Sequence, residues 1–228
     1  METIPWVQFL PAMDWDQGEH VSICGPTGTG KTYLMNQLTR HRKFVTVFGT
    51  KPSGGDDTLA KLISDQGYKL ITTWSDKPPI IKGHGQRLVL WPTYRKITDR
   101  HKQKPEFTHA MESMFMEGSW CVAIDELMYV YQKLKIRDIV DVLYLQGRSK
   151  KVSLCASFQR PRNVSMYCYD QATHLFFFRD NDEENLKRIG GIGSLDAKII
   201  RHTVARLPLK HFLYINSRTG EMCVSMVQ

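Results

Sequence analysis

Residues 20–32 read HVSICGPTGTGKT, and this stretch decides how the rest of the chain is interpreted. The short apolar run Val21 to Cys24 predicts a buried strand. Gly25 to Thr32 match the pattern G-x-x-x-x-G-K-[ST], and apolar positions that include Leu34 and Leu38 predict a helix directly after it. A strand before and a helix after is the context in which this pattern forms a phosphate-binding loop. The alternative is a glycine-rich turn that happens to precede a helix, and the flanking segments favour the phosphate-binding loop.

The residue types of this loop suit phosphate binding. Glycines let the backbone curl so that successive N–H groups point at phosphate oxygens, and the helix N-terminus adds its positive end. Lys31 can reach the β- and γ-phosphates of a nucleotide, and the Thr32 hydroxyl can ligate Mg²⁺. The predicted nucleotide-contacting residues are Gly25, Pro26, Thr27, Gly28, Thr29, Gly30, Lys31, Thr32 and Tyr33.

A second decisive element is the segment Trp120 to Glu126, which reads WCVAIDE. Its apolar residues predict a buried strand that ends in two carboxylates. If the sheet is parallel, this strand end lies next to the phosphate-binding loop. Asp125 can then hold Mg²⁺ through water, and Glu126 can polarise the attacking water. Two solvated acids at a strand end are the alternative, and the phosphate-binding loop upstream favours the catalytic interpretation.

A third strand, predicted from Val152 to Ser157, runs into the residues FQRP. Gln159 at the tip of this strand can sense a γ-phosphate beside it, and an ordinary strand-to-loop glutamine is the alternative. Before this strand in the chain, a predicted helix stops at Gly147, and Arg148 follows Gly147 directly.

The remaining elements alternate between β-branched runs and helical patterns, which is typical of an α/β fold. The other predicted strands are Phe44 to Phe48, Tyr68 to Trp74, Arg87 to Trp91, His174 to Arg179, Phe212 to Asn216 and Met222 to Val227. One further predicted helix ends near Gln66, and three others span Glu106 to Glu117, Asp182 to Ile189 and Ser194 to Arg206. The helix predicted from Asp138 to Gly147 has Ile139, Val142 and Leu143 on one face.

Length and composition favour one globular α/β domain. The chain has 228 residues, 42% of them apolar and 24% charged. We expect a single domain over 1–228, with a lead-in segment 1–18, a core 19–206 and a C-terminal hairpin 207–228. Its five cysteines are scattered and indicate buried thiols in a reducing compartment. Because no apolar run reaches about 18 residues and no leader is evident, we expect no membrane segment and a cytoplasmic protein.

The charge of the chain indicates a polyanionic partner besides a nucleotide. Lysine and arginine total 31 against 23 acidic residues, a formal net charge of +8. The densest run of positive charge is Tyr94 to Lys104, YRKITDRHKQK, although such a run is often only a solvated face. In the lead-in segment, Trp6, Phe9 or Trp15 could flank an adenine, and the alternative is that they are simply packed.

Taken together, GPTGTGKT, VAIDE, GRSKKVSLCASFQRP and ATHLFFFRDNDEENLKRIGG resemble the FtsK–HerA branch of the P-loop ATPases, which includes viral genome-packaging motors. The resemblance covers roughly Glu19 to Gly191. It implies a RecA-like (ASCE) P-loop NTPase fold with a mainly parallel central sheet flanked by helices, and the C-terminal β-hairpin is compatible with it. In that family the ATPase forms a ring, and ATP hydrolysis drives DNA through its pore.

The resemblance also implies roles for individual residues. Lys31 and Thr32 match the phosphate and Mg²⁺ ligands (Walker A), Asp125 matches the metal carboxylate, and Glu126 matches the catalytic base (Walker B). Gln159 matches the sensor at the strand tip. Arg148 matches the arginine that enters the neighbouring subunit's site, with Arg160 and Arg179 as alternatives.

A chain this small resembles the packaging ATPases that load double-stranded DNA into preformed capsids. The implied partners are double-stranded DNA without sequence preference, a homo-oligomeric ring (pentamer or hexamer), and capsid or portal vertex proteins, in the host cytoplasm or at the virion packaging vertex. A cellular HerA-like DNA-processing ATPase and a phage morphogenesis or export ATPase are the alternatives. The expected DNA contacts are Arg95, Lys96, Arg100, Lys102 and Lys104, with Lys77, Lys82 and Arg87 as a second possible cluster.

Overall fold

One sheet runs through the part of the protein described by the computed structural model, residues 1–13, 15–191 and 196–227. Its strands follow the order β1-β10-β9-β8-β2-β7-β6-β3-β5-β4. The strands are β1 Glu2–Thr3, β2 Val21–Cys24, β3 Phe44–Phe48, β4 Lys69–Ile71, β5 Gln86–Leu90, β6 Cys121–Ile124, β7 Ser153–Phe158, β8 His174–Phe178, β9 His211–Asn216 and β10 Met222–Met226.

Helices connect the strands and cover both faces of the sheet. They are α1 Trp6–Ala12, α2 Lys31–Thr39, α3 Asp57–Asp65, α4 Gln103–Glu117, α5 Leu127–Gln132, α6 Arg137–Gln146, α7 Tyr167–Asp170, α8 Glu183–Gly190 and α9 Ala197–Arg206. Short 3₁₀ helices lie at Trp74–Asp76, Ile97–Lys102, Gly147–Lys150 and Pro161–Asn163.

The central strands pair in parallel, from β8 through β2, β7, β6, β3 and β5 to β4. Only β9 pairs antiparallel among the described strands, with β8 on one side and β10 on the other. The predicted α/β fold with a mainly parallel sheet and a C-terminal hairpin is therefore confirmed. The parallel strands all end at one edge of the sheet, which we call the carboxyl edge, and begin at the opposite amino edge.

The sequence of the central strands explains why they are buried on both faces. All four residues of β2 and of β6 are buried, and so is the whole of β8, HLFFF. Near-continuous apolar runs of this kind are typical of parallel strands covered by helices on both sides. One face packs against α4, α5 and α6 through residues such as Phe107 and Leu127, and the other packs against α1, α2 and α3 through residues such as Phe9 and Leu34.

Most predicted elements agree with the structure to within a few residues, and the differences have local causes. The predicted strand Tyr68 to Trp74 is shorter, because the chain turns into a 3₁₀ helix at Trp74. The predicted helix Glu106 to Glu117 begins earlier, at Gln103. The pattern did not predict β1, α1, α5 or α7. The predicted start of the last helix, with Ser194 and Leu195, lies outside the described residues.

The face predicted for α6 is partly wrong. Leu143 is buried as expected, but Val142 is 39% exposed, and Val140 and Tyr144 are buried instead. Tyr144 turns inward because its hydroxyl lies 3.2 Å from the Ser22 hydroxyl on β2, so its polar tip has a partner inside the core.

Two further features bear on the expectations from composition. Each of the five cysteines is buried and carries a free thiol. Among the described helices, none is both long and apolar enough to cross a bilayer. The division into lead-in, core and hairpin stays a prediction, although β1 of the lead-in pairs with β10 of the hairpin in the same sheet.

Candidate active site

The carboxyl edge brings together the residues that follow four neighbouring strands. β2 leads into the loop that begins at Gly25, β7 leads into Gln159, β6 leads into Asp125 and Glu126, and β3 leads into Thr50. The Gly25 N–H donates to the Phe158 carbonyl over 3.2 Å, which ties the loop to the end of β7. Because β7 lies between β2 and β6, Gln159 follows the strand that separates the loop from the two acids.

The loop Gly25–Thr32 has the backbone conformation that its glycines permit. Gly28 and Gly30 have φ values of 80° and 110°, in the left-handed region that favours glycine. A Cβ on Gly30 would lie 2.5 Å from Cγ2 of Val227, so a side chain would collide with the residue that follows β10. The loop leads directly into α2, which begins at Lys31.

Lys31 is almost fully buried, with 6% of its surface exposed. Its Nζ donates to the Pro26 carbonyl over 2.8 Å, so the side chain folds back across the loop. Burial lowers the pKa of Lys31 from its ordinary value, and the negative charges of Asp125 and Glu126 oppose that shift. The ammonium group is therefore held by the loop backbone, with the acids after β6 near enough to affect its pKa.

Asp125 accepts hydrogen bonds from residues of α2, of β7 and of the segment after β3. The Thr32 hydroxyl donates to Asp125 Oδ2 over 2.8 Å, and the Ser157 hydroxyl donates to Asp125 Oδ1. The Thr50 hydroxyl donates to the backbone carbonyl of Asp125 over 3.3 Å. Carboxylate and hydroxyl oxygens are the hard donors that Mg²⁺ prefers, so the Thr32–Asp125 pair fits that ion.

Ser157 and Thr50 were not among the residues predicted from the sequence. Ser157 is a polar residue near the end of an apolar strand, and Thr50 stands two residues after β3. Both positions lie at ends of parallel strands that share an edge with the acids. This placement at strand ends could have pointed to both residues, but recognising it requires the order of the strands in the sheet, which the sequence alone does not give.

Glu126 and Gln159 form the second pair of the site. The Gln159 Nε2 donates to Glu126 Oε1 over 2.7 Å. Glu126 has φ 67° and ψ 58°, a left-handed conformation that is uncommon for a residue with a side chain and often marks functional positions. The geometry thus places a half-buried carboxylate next to the loop, with an amide that fixes its orientation.

The three candidate arginines lie at two different edges. Arg160 and Arg179 are exposed at the carboxyl edge, directly after β7 and β8. Arg148 is exposed in the 3₁₀ helix that precedes β7, at the amino edge. A strand of six residues spans about 20 Å, so Arg148 lies far from the loop of its own chain. The structure therefore does not bring Arg148 together with the other predicted site residues.

The aromatic residues of the lead-in segment lie in different surroundings. Trp6 lies 6.3 Å, centroid to centroid, from Tyr33, the residue after the loop. Phe9 is 3% exposed among Phe176 and Phe212, and Trp15 lies under the Arg42 guanidinium at 3.8 Å. The prediction that Phe9 flanks an adenine is therefore wrong, because its ring is buried among other aromatic rings. The prediction for Trp15 is wrong because Trp15 lies beside Arg42, which follows α2 at the helix end away from the loop. Trp6 is also buried, at 7% exposure, and packs against Phe9 and Phe212, but it lies beside the residue after the loop, so its contact with an adenine stays a prediction.

The five basic residues of the first predicted DNA cluster are all exposed: Arg95, Lys96, Arg100, Lys102 and Lys104. One ion pair among them joins Lys102 to Asp99 at 2.9 Å. In the second cluster, Lys77 pairs with Glu117 at 2.7 Å, and the Arg87 Nε donates to the Arg42 carbonyl. The first cluster therefore presents more positive charge to solvent than the second.

The strand-loop-helix unit, the acids on β6 and the parallel sheet define the fold of a P-loop NTPase. No protein-family model matches the chain, and no curated protein is significantly similar to it in sequence. The comparison with solved structures does give matches, and these carry the identification of the fold.

The genome packaging NTPase B204 of Sulfolobus turreted icosahedral virus 2, solved with AMP, is 21% identical with a TM-score of 0.67, covering 93% of this chain and 98% of that one. The same protein solved with ATP-gammaS is 18% identical with a TM-score of 0.67, covering 92% and 98%. EccC of Thermomonospora curvata (ATPases 2 and 3) is 13% identical with a TM-score of 0.57, covering 95% of this chain and 38% of that one. The chain therefore shares the fold of these NTPases, in agreement with the P-loop NTPase fold predicted from the sequence.

We expect the substitution Ser157→Ala to weaken the metal site without removing a predicted ligand. The Ser157 hydroxyl orients the Asp125 carboxylate, and losing such a partner typically reduces metal affinity by about tenfold or more. The Mg²⁺ concentration for half-maximal nucleotide hydrolysis should therefore rise by about tenfold. The matched control is Ser153→Ala in the same strand, whose hydroxyl accepts a bond from the Gly18 N–H at the amino edge. Equal Mg²⁺ requirements for the two variants would show that Ser157 does not support the metal site.

Proposed function

We propose that this chain is an ATPase that moves double-stranded DNA, and that it is of the kind that packages a viral genome. The observation that carries the proposal is the convergence of two pairs at the carboxyl edge. Thr32 with Asp125 suits a Mg²⁺–nucleotide, and Gln159 with Glu126 suits activation of water. Support also comes from the near end-to-end structural match with a viral genome packaging NTPase, which covers 98% of that chain.

Each residue has a distinct task in the proposed hydrolysis. The backbone N–H groups of Gly25–Thr32 cradle the phosphates, and Lys31 neutralises charge on the β- and γ-phosphates. Thr32 and Asp125 would hold Mg²⁺, which when bound would supply further positive charge at the phosphates. Glu126 accepts a proton from the water as its oxygen bonds to the γ-phosphorus, the bond from this phosphorus to the bridging oxygen breaks, and ADP and inorganic phosphate are the products. Gln159 holds the Glu126 carboxylate in place through its 2.7 Å bond.

Two substitutions separate binding from chemistry at this site. Glu126→Gln should preserve ATP affinity and lower the turnover number by about 10²- to 10⁴-fold, because only the proton acceptor is lost. Lys31→Ala should weaken ATP affinity itself, because the lost cation contacts the phosphates in the ground state. Equilibrium binding of a fluorescent ATP analogue and steady-state turnover measure the two effects. Normal turnover by Glu126→Gln would assign the base to another residue.

The proposed DNA contacts are the exposed cations of residues 94–104, which we call the basic segment. Phosphate contacts by lysine and arginine are independent of sequence and weaken as salt rises, because bound counterions are released. The second cluster is a weaker candidate, because Lys77 and Arg87 are already engaged within the chain.

ATP turnover should therefore rise when long double-stranded DNA is added, and this stimulation should fade as salt rises. The triple substitution of Arg95, Lys96 and Arg100 to Gln should flatten the salt dependence of DNA affinity, since each lost phosphate contact reduces the slope by about 0.9. A triple change of the exposed residues Lys150, Lys187 and Lys198 to Gln removes the same charge elsewhere and serves as the control. If adding DNA does not change ATP turnover at any salt concentration, the translocase proposal is overturned. Equal salt-dependence slopes for the two triple variants would exclude the basic segment as the DNA contact.

The position of Arg148 suits action on a neighbouring copy in a ring. It is exposed and lies at the edge opposite to its own phosphate-binding loop. An arginine supplied across an interface stabilises the transition-state charge and is worth about 10³-fold or more in rate. Arg160 and Arg179, which lie at the carboxyl edge, are the alternatives for an arginine acting near the loop.

Mixing variants tests whether Arg148 acts across an interface. Arg148→Ala alone should bind ATP normally and hydrolyse it poorly, and Glu126→Gln alone should also hydrolyse it poorly. Mixed assemblies should regain turnover, because some interfaces then combine an intact Glu126 with an intact Arg148 from the neighbour. The corresponding mixture with Arg160→Ala is the control. No recovery in the Arg148 mixture would remove the interface role from this residue.

A further inference from the structure

Gln103 is a fully buried amide at the first position of α4, directly after the 3₁₀ helix of the basic segment. Its Nε2 donates to the carbonyls of Gly49 and Thr50, over 3.0 and 3.3 Å. Its Oε1 accepts a bond from the Tyr129 hydroxyl over 2.7 Å. One side chain therefore joins the basic segment to the chain after β3 and to α5.

Both partners of Gln103 lead to the acids of the candidate site. Thr50 donates through its hydroxyl to the Asp125 carbonyl over 3.3 Å. Tyr129 lies in α5, and its N–H donates to the Glu126 carbonyl over 2.9 Å. Each acid is thus two hydrogen bonds away from the Gln103 amide, by a different route.

The start of the basic segment is held against the same loop. The Tyr94 N–H donates to the Ser53 hydroxyl over 2.9 Å, and the Ser53 N–H donates to the Tyr94 carbonyl over 2.9 Å. Gln103 fixes the other end of the segment. The exposed cations therefore lie on a short stretch of chain whose two ends are bonded to the loop after β3.

The chemistry of these contacts indicates more than the filling of space. A buried amide is costly unless it is hydrogen-bonded, and an apolar side chain would fill the same volume without that cost. Burial, the largest cause, raises the pKa of Tyr129 to about 12, so its hydroxyl is a donor throughout the physiological range. The side-chain oxygen of Gln103 accepts a bond from this hydroxyl, and its side-chain nitrogen donates to two backbone carbonyls.

We propose that Gln103 is a positioning residue that couples the basic segment to the acids Asp125 and Glu126. This inference rests on the proposed function, in which the acids hydrolyse ATP and the segment contacts DNA. A displacement of the segment by DNA pulls on the Thr50 and Tyr129 contacts and so on the backbone of both acids. The coupling is reciprocal, so a nucleotide bound at the acids also shifts the segment.

The first test measures the ratio of ATP turnover with DNA to turnover without it. Gln103→Met keeps a similar length and loses all three hydrogen bonds, and Tyr129→Phe loses only the bond between its hydroxyl and Gln103. Both should lower this ratio, to near unity for Gln103→Met, while KM for ATP without DNA and the affinity for DNA without nucleotide stay at the wild-type values. The control is Tyr131→Phe in the same helix, whose hydroxyl donates to Asp141 instead, over 2.6 Å. A wild-type ratio in Tyr129→Phe and in folded Gln103→Met would overturn the inference.

The second test does not depend on DNA, so it separates this inference from the proposed function. Ile97 is 79% exposed within the basic segment, and the native cysteines are all buried, so Ile97→Cys can be labelled selectively with a nitroxide. Adding ATP-gammaS with Mg²⁺ should change the mobility of the label, and Tyr129→Phe should reduce that change while Tyr131→Phe keeps it. A response that is absent, or equal in the two variants, would overturn the coupling. A response without DNA-stimulated turnover would leave the coupling in place and overturn the DNA proposal.

Discussion

The Asp125 carboxylate is the interaction on which the arrangement of the site depends. One of its oxygens accepts a bond from Thr32 at the start of α2, and the other accepts a bond from Ser157 near the end of β7. A single side chain thus joins the helix after the loop Gly25–Thr32, the end of β6 and the end of β7. Because Lys31 precedes Thr32 and Glu126 follows Asp125, these contacts also set where the cation and the second acid lie.

The position of β7 determines which residues hold the two acids of the site. Since β7 lies between β2 and β6, its end contributes to the site together with the ends of β2, β6 and β3. Ser157 faces Asp125, and Gln159, two residues further on, holds Glu126. The Asp125 and Glu126 side chains are therefore both held by residues at the end of β7, and a shift of β7 would displace both together.

Much of this arrangement could be predicted from the sequence, because the decisive residues are local. The run GPTGTGKT between a strand and a helix, and the acids after VAI, identify the loop and the acid strand without any tertiary information. Ser157, Thr50 and Gln103 could not be found in that way, because their importance comes from strand order and from contacts between distant segments. The role of Gln103 in particular depends on partners 53 and 54 residues away in the chain.

The aromatic residues and α6 show where pattern reasoning fails for a physical reason. Phe9 and Trp15 have the same chemistry as a ring that stacks on a base, but Phe9 is buried among other aromatic rings and Trp15 lies beside Arg42, beyond the end of α2 that is away from the loop. Tyr144 is amphipathic, so sequence alone does not say whether its hydroxyl finds a partner inside. The bond to Ser22 decides the face of the helix, and Ser22 lies 122 residues away.

The most direct test of the central claim is a crystal structure of the protein with Mg²⁺ and a non-hydrolysable ATP analogue. The account predicts the triphosphate in the loop Gly25–Thr32, with Lys31 Nζ moved from the Pro26 carbonyl to the phosphates. It also predicts Mg²⁺ beside the Thr32 hydroxyl and the Asp125 carboxylate, and Glu126 facing the γ-phosphate. A triphosphate bound elsewhere, or a metal ion that lies away from Thr32 and Asp125, would contradict it.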